Sequence, residues 1–129
     1  MTDQSTRPAI GDVRTIGVPV RDQDKALDFY TAVLGFETKL DVSIGGGPRW
    51  IEVAPVGART SIALIAEHEG VPAGVETGIR LTTANADADH ARLLARGVDA
   101  GEVLCWPGVP PMFAFRDQDG NGLELVQEA

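Results

Sequence analysis

A chain of 129 residues suits one domain, or two half-modules sharing a core, and is long enough to bury most of its apolar surface. Hydrophobic residues make up 43% and charged residues 23%, which excludes an intrinsically disordered composition. Eleven basic against nineteen acidic residues leave a formal charge of −8; this speaks against a nucleic-acid partner and would draw a cationic small ligand, but it also fits a merely solvated acidic face.

In chain order, MTDQSTRP is polar and ends in proline, so residues 1–12 are expected to form a flexible N-terminus. It lacks the charged and apolar regions of a signal peptide, and no apolar run approaches the roughly 20 residues that span a bilayer. The expectation is a cytoplasmic protein without membrane contact. VRTIGVPV (13–20) alternates Ile16, Val18 and Val20 with Thr15, Gly17 and Pro19, the period of a strand with two different faces. DQDKALDFYTAVLGF then carries apolar residues at helical spacing, with Asp22 placed as N-cap and Gly35 as the stop. Strands are expected at 37–44, 49–54 and 61–66, separated by GGGP and APVGAR. Gly45, Gly46 and Gly47 read as a hairpin tip and not a phosphate loop, because no Lys-Ser/Thr pair and no helix follows them.

After HEGVPAGVE (68–76), a linker rich in glycine and proline, the order repeats: TGIRLTT as a strand, ADADHARLLAR as a helix stopped at Gly97, a short strand near 101–105, then MFAFRD and GLELVQ around the turn DQDGN. A repeat of about 50 residues implies two units, each exposing an apolar face that only its partner covers. The expected fold is α+β: two βαβββ modules (13–67 and 77–129) whose curled sheets enclose a shared cavity, with the helices outside. Cys105, the single cysteine, excludes an internal disulfide and a thiolate-rich metal site; between Leu104 and Trp106 it reads as a buried or half-buried apolar residue. His90, in the middle of the second helix, reads as a surface residue.

Within the last strand, Leu123 and Leu125 should build the core, so Glu124 should line the cavity. There it is open to three roles: general base, anchor for a cationic group, or structural acid held by hydrogen bonds. Trp50 and Glu52 are taken to be in phase with Phe113 and Phe115, so that all four line the pocket or fill the core of a curled sheet. Trp106, in the proline-rich LCWPGVPPMF, is placed to cover the pocket, to stack on a flat ligand, or to pack a loop on the sheet edge. Arg49 and Arg80 are placed for cation-π or carboxylate contacts.

VPVRDQDKALDFYTAVLGF near the start and FRDQDGNGLEL near the end together resemble the vicinal oxygen chelate superfamily, the fold of glyoxalases, bleomycin-resistance proteins and dioxygenases. The resemblance covers residues 13 to about 127. It implies a homodimer whose interface completes the pockets. In the metal-dependent members it implies a divalent ion (Ni, Zn, Mn or Fe), held by up to four side chains from the first and last strands of each module, that chelates two adjacent substrate oxygens. On that pattern the ligand positions are held by Thr15, by Gly78 or Thr77, by Ser61 or Ala63, and by Glu124. One carboxylate is too few for a divalent site, so no cofactor is expected. A shifted register would instead bring Glu67 or His68 to Glu124 as metal ligands; otherwise that run is a solvated strand end. The resemblance therefore implies a metal-independent protein that binds a small cationic or aromatic molecule. The alternative is a metal-dependent lyase, isomerase or dioxygenase, with a metal-free variant using Glu124 or Glu52 as base.

Overall fold

Both halves of the chain build the same sheet. In a computed structural model, which describes residues 6–128, the first comprises β1 (Thr15–Val20), β2 (Glu37–Ser43), β3 (Arg49–Ala54) and β4 (Ser61–Ala66) in the order β1-β4-β3-β2. The second comprises β5 (Glu76–Thr83), β6 (Leu104–Trp106), β7 (Val109–Arg116) and β8 (Gly122–Gln127) in the order β5-β8-β7-β6. In each sheet the first strand runs parallel to the fourth and the other pairs are antiparallel. These are two unclosed, curled βαβββ modules of an α+β fold. The expected flexible N-terminus falls partly on residues 1–5, which lie outside the described residues.

Sequence chemistry sets the local structure. Pro19 is tolerated within β1 because that strand pairs only with β4, so one backbone edge needs no N–H for a ladder. Asp22 caps α1 (Gln23–Asp28), its Oδ1 accepting from the amides of Asp24 and Lys25 at 3.0 and 3.1 Å. The helix then widens into a π-turn over Phe29–Val33, where the Leu34 amide reaches back to the Phe29 carbonyl. Asn85 caps α2 (Ala86–Ala95) in the same way. Among the described residues no helix is long and apolar enough to cross a membrane.

Val18, Val20, Ile51, Val53, Ile62 and Leu64 of the first sheet join Ile79, Phe113, Phe115, Leu123 and Leu125 of the second in one core beneath the helices. Each such side chain contributes about 1.5–3 kcal/mol when fully buried. Phe113 and Phe115 are therefore core residues. Phe113 takes the edge of the His90 ring at a centroid distance of 5.0 Å. Phe113 pairs with Leu125 and Phe115 with Leu123, whereas Ala114 pairs with Glu124. The expectation that both phenylalanines line the pocket beside Trp50 and Glu52 is thus corrected, because residues of opposite parity face opposite sides of a sheet. Cys105 is exposed on β6, not buried.

Two arms of the DQDGN turn tie the modules together. Asn121, fully buried, donates through Nδ2 to the Pro19 carbonyl at 2.8 Å and to Asp117 Oδ2 at 2.9 Å, while its Oδ1 accepts from the linker amides of Gly74 and Val75. Asp119 accepts from the Arg21 amide at 2.9 Å.

Candidate binding site on the open sheet faces

On each sheet the face away from the helices borders a cavity, and register decides what occupies it; in the first module Glu52 and Ser61 are buried there. In the first module Glu52 lies opposite Ala63 on one side and Leu40 on the other, with Trp50 on the same face. The Trp50 indole Nε1 donates to Glu52 Oε2 at 2.8 Å, the Ser61 hydroxyl donates to Oε1 at 2.7 Å, and Arg14 Nη2 stands 3.6 Å from Oε2. The Trp50 hydrogen bond, then that of Ser61, holds the Glu52 carboxyl below its ordinary value, outweighing the burial that would raise it. With both oxygens engaged, Glu52 is a fixed anion and a poor proton acceptor. Around it a cavity of about 310 Å³ is lined by Arg14, Lys39, Arg59 and Ser61.

Glu124 occupies the open face of the second module, opposite Ala114 and Arg80, and is half-buried. Arg80 Nε lies 3.3 Å from Glu124 Oε2. A cavity of about 140 Å³ beside this pair is lined by Gly78, Ala114 and Glu124. Between the modules runs a cleft of about 540 Å³ with an apolar floor of Ile16, Ile62, Ile79 and Leu81 and with Arg59 and Arg80 at its margin. Arg59 and Ser61 line both this cleft and the first cavity, and Ile79 lines both the cleft and the second cavity, so the three spaces adjoin. That is the usual make-up of a small-molecule site: an apolar surface with a few convergent polar groups.

The structure thus brings Trp50 and Glu52 together and places Glu124 on the equivalent face of the second module. Trp106 lies elsewhere: it is exposed at 55%, pairs with Val109 across the Pro107–Gly108 turn, and lines none of the three spaces. Glu67 turns toward the linker, where its Oε2 accepts from the Ala73 amide at 3.0 Å, and His68 bridges Val71 within the linker. Among the described residues no three His, Cys, Asp or Glu side chains converge. Arg49 pairs with Asp24 and Asp41, away from these cavities. The residues that sequence reasoning missed are Arg14, which approaches Glu52 across strands, and Lys39 and Arg59, which line the same cavity while paired with Glu37 and Asp12.

The family model described as Glyoxalase/Bleomycin resistance protein/Dioxygenase superfamily matches residues 13–125, and the chain belongs to that superfamily. Its fold closely matches the crystal structure of TnmS3, an antibiotic binding protein from Streptomyces sp. CB03234, with a TM-score of 0.84 and 39% identity over 95% of this chain and all of that one. It is 32% identical to YurT of Bacillus subtilis (strain 168) over 119 residues, 84% of this chain and 93% of YurT. It is 40% identical to YetH of the same organism over 55 residues, a match spanning 43% of this chain and slightly under half of YetH, 46%.

At the positions where the resemblance expects metal ligands, Thr15 donates its hydroxyl to the Ser61 carbonyl at 3.2 Å and Ala63 has no donor atom. Gly78, with φ +74° at the bulge in β5 between Glu76 and Arg80, has no side chain to offer a metal. Glu124 is engaged by Arg80.

Proposed function

We propose that the protein binds a small, flat aromatic molecule across the open sheet faces and the cleft between the modules, without a metal ion. One observation carries this reading: the one carboxylate at the superfamily's ligand positions, Glu124, is paired with Arg80, while the other positions hold Thr15, Ala63 and Gly78. Such a donor set does not fit a divalent ion, which needs several nitrogen or oxygen ligands converging at correct geometry. Between a cationic and an aromatic ligand, the surroundings favour the aromatic. The cleft floor is apolar, and Arg14, Lys39, Arg59 and Arg80, which line the adjoining spaces, are paired with Glu52, Glu37, Asp12 and Glu124. These carboxylates are already engaged, while the guanidinium groups can stack on an aromatic face. The likeness to a protein described as antibiotic-binding supports a small-molecule ligand.

The same proposal includes a homodimer, since exposed Trp106, Leu104 and Val109 form an apolar edge that a second copy would cover. Light scattering should return twice the 13.6 kDa of the chain.

Calorimetric titration with a library of polycyclic aromatic compounds, with and without a chelator, tests the central reading. Binding that survives chelation is expected, together with no stoichiometric retention of Ni, Zn, Mn or Fe(II) by mass spectrometry. A tightly held metal, or binding lost on chelation, would overturn it in favour of a lyase, isomerase or dioxygenase.

A further inference from the structure

On the helix side a further cavity of about 160 Å³, which adjoins the cleft through Leu81 and Thr82, lies between the π-turn and α2. Val33, Leu34 and Leu81 form its accessible apolar side, with the buried Leu93, Phe115 and Leu125 beneath them. Thr82, Asp89, Arg92 and Arg96 form a polar side. Its volume is close to the about 150 Å³ of an engineered apolar cavity that takes up benzene, so it holds one aromatic ring and little more.

Two guanidinium groups stand where this lining meets solvent. Arg96 Nη1 donates to the Val33 carbonyl at 2.7 Å, which fixes that side chain from α2 across to the end of the π-turn. Arg92 Nη1 lies 3.1 Å from Asp89 Oδ1, and Asp89 Oδ2 accepts the Thr83 hydroxyl. With Asp89 engaged on both oxygens, the two arginines leave one net positive charge beside a ring-sized apolar space, on a chain whose overall charge is −8. A local positive site of this kind selects a monoanion, because a cation would be repelled and a dianion left half-compensated.

We infer that this cavity is a second binding site, for a small aromatic monocarboxylate. The ring lies against Val33, Leu34 and Leu81, and the carboxylate accepts from Arg92 and Arg96. The site is independent of the proposed open-face function, yet Leu81 and Thr82 of β5 line both this cavity and the cleft between the modules, so an occupant here touches the same strand.

The test is a titration with benzoate followed by amide chemical shifts on the full chain. Shifts centred on Val33, Leu34, Leu93 and Arg96 are expected, with benzyl alcohol, the same size but uncharged, binding more weakly. Arg92→Glu reverses the charge at an exposed position and should weaken benzoate about tenfold or more. Val33→Phe fills the space while keeping both arginines and should abolish the shifts. Shifts confined to the open faces, around Ser61 and Arg80, would overturn the inference. So would benzoate affinity unchanged in both variants, or equal affinity for benzyl alcohol.

Discussion

The Tyr30 hydroxyl donates a 2.8 Å hydrogen bond to Asp117 Oδ2, joining the helical segment of the first module to the turn before the last strand of the second. Tyr30 has no exposed surface, and Asp117 also accepts from the amides of Asp119 and Asn121 and from Asn121 Nδ2. Asp117 therefore keeps other donors if Tyr30 is lost, whereas losing Asn121 strands several buried groups at once. Tyr30→Phe should cost about 1–2 kcal/mol and Asn121→Ala about 3 kcal/mol or more in urea unfolding. Equal costs would remove Asn121 from the centre of the network.

The same hydrogen bond predicts an alkaline effect. Burial first, and then the Asp117 charge, push the Tyr30 hydroxyl well above its ordinary ionisation range. A group with a raised folded-state pKa contributes stability that is intact below the unfolded value of about 10 and is lost as pH climbs from there toward the folded value. Stability should accordingly fall above about pH 10, and Tyr30→Phe should flatten that part of the profile. An unchanged alkaline slope in the variant would assign the loss to other groups.

Glu52 predicts the opposite limb. Its carboxyl is held below the ordinary range by Trp50 and Ser61, so its contribution is present above the unfolded value of about 4.3 and is lost as pH falls through the folded value. Ser61→Ala should shrink the acid-side loss and Glu52→Gln should remove it, as read from urea midpoints between neutral and acidic pH. Identical acid profiles in wild type and Glu52→Gln would refute the assignment.

Trp50 and Trp106 are the only tryptophans in the chain and are placed differently. Trp50 donates to Glu52, which lines the first cavity, whereas Trp106 sits on the β6–β7 hairpin; neither ring itself lines the three adjoining spaces. An aromatic ligand should quench fluorescence in Trp106→Phe, which retains Trp50, and leave Trp50→Phe nearly unchanged. The reverse pattern would move the site to the β6–β7 hairpin.

Glu124 and Arg80 form a pair open to water, with side chains 39% and 67% exposed. Such pairs contribute little, so Glu124→Gln should change stability by about 0.5 kcal/mol or less. Under the proposed function it should also leave aromatic-ligand affinity within a few-fold of wild type. A large loss of affinity would restore Glu124 as an anchor or base.

The strands at Arg49–Ala54 and Ser61–Ala66 were legible because apolar runs stood between strong turn signals, and so was the side of β8 taken by Glu124, since Leu123 and Leu125 flank it. Phase across a hairpin was not. Register makes Ala114, beside Glu124, the counterpart of Glu52 beside Ala63, so matching Trp50 and Glu52 to Phe113 and Phe115 was a slip of one residue, which turns every side chain to the other face. Arg80 was expected to meet a carboxylate or an aromatic ring, but its partner Glu124, like the Glu52 partner of Arg14, is set by strand pairing and not by spacing. The π-turn at Phe29–Val33 also escaped notice, since its apolar spacing is that of an ordinary helix.

The DQDGN turn, through Asn121 and the Pro19 carbonyl, joins the two modules and lines none of the three adjoining spaces. The stretch that most readily marks this chain's family thus holds both a fastener and, three residues beyond Asn121, a side chain of the site, Glu124. A chain with such fasteners can exchange one molecular clientele for another while its lineage stays plain in its letters.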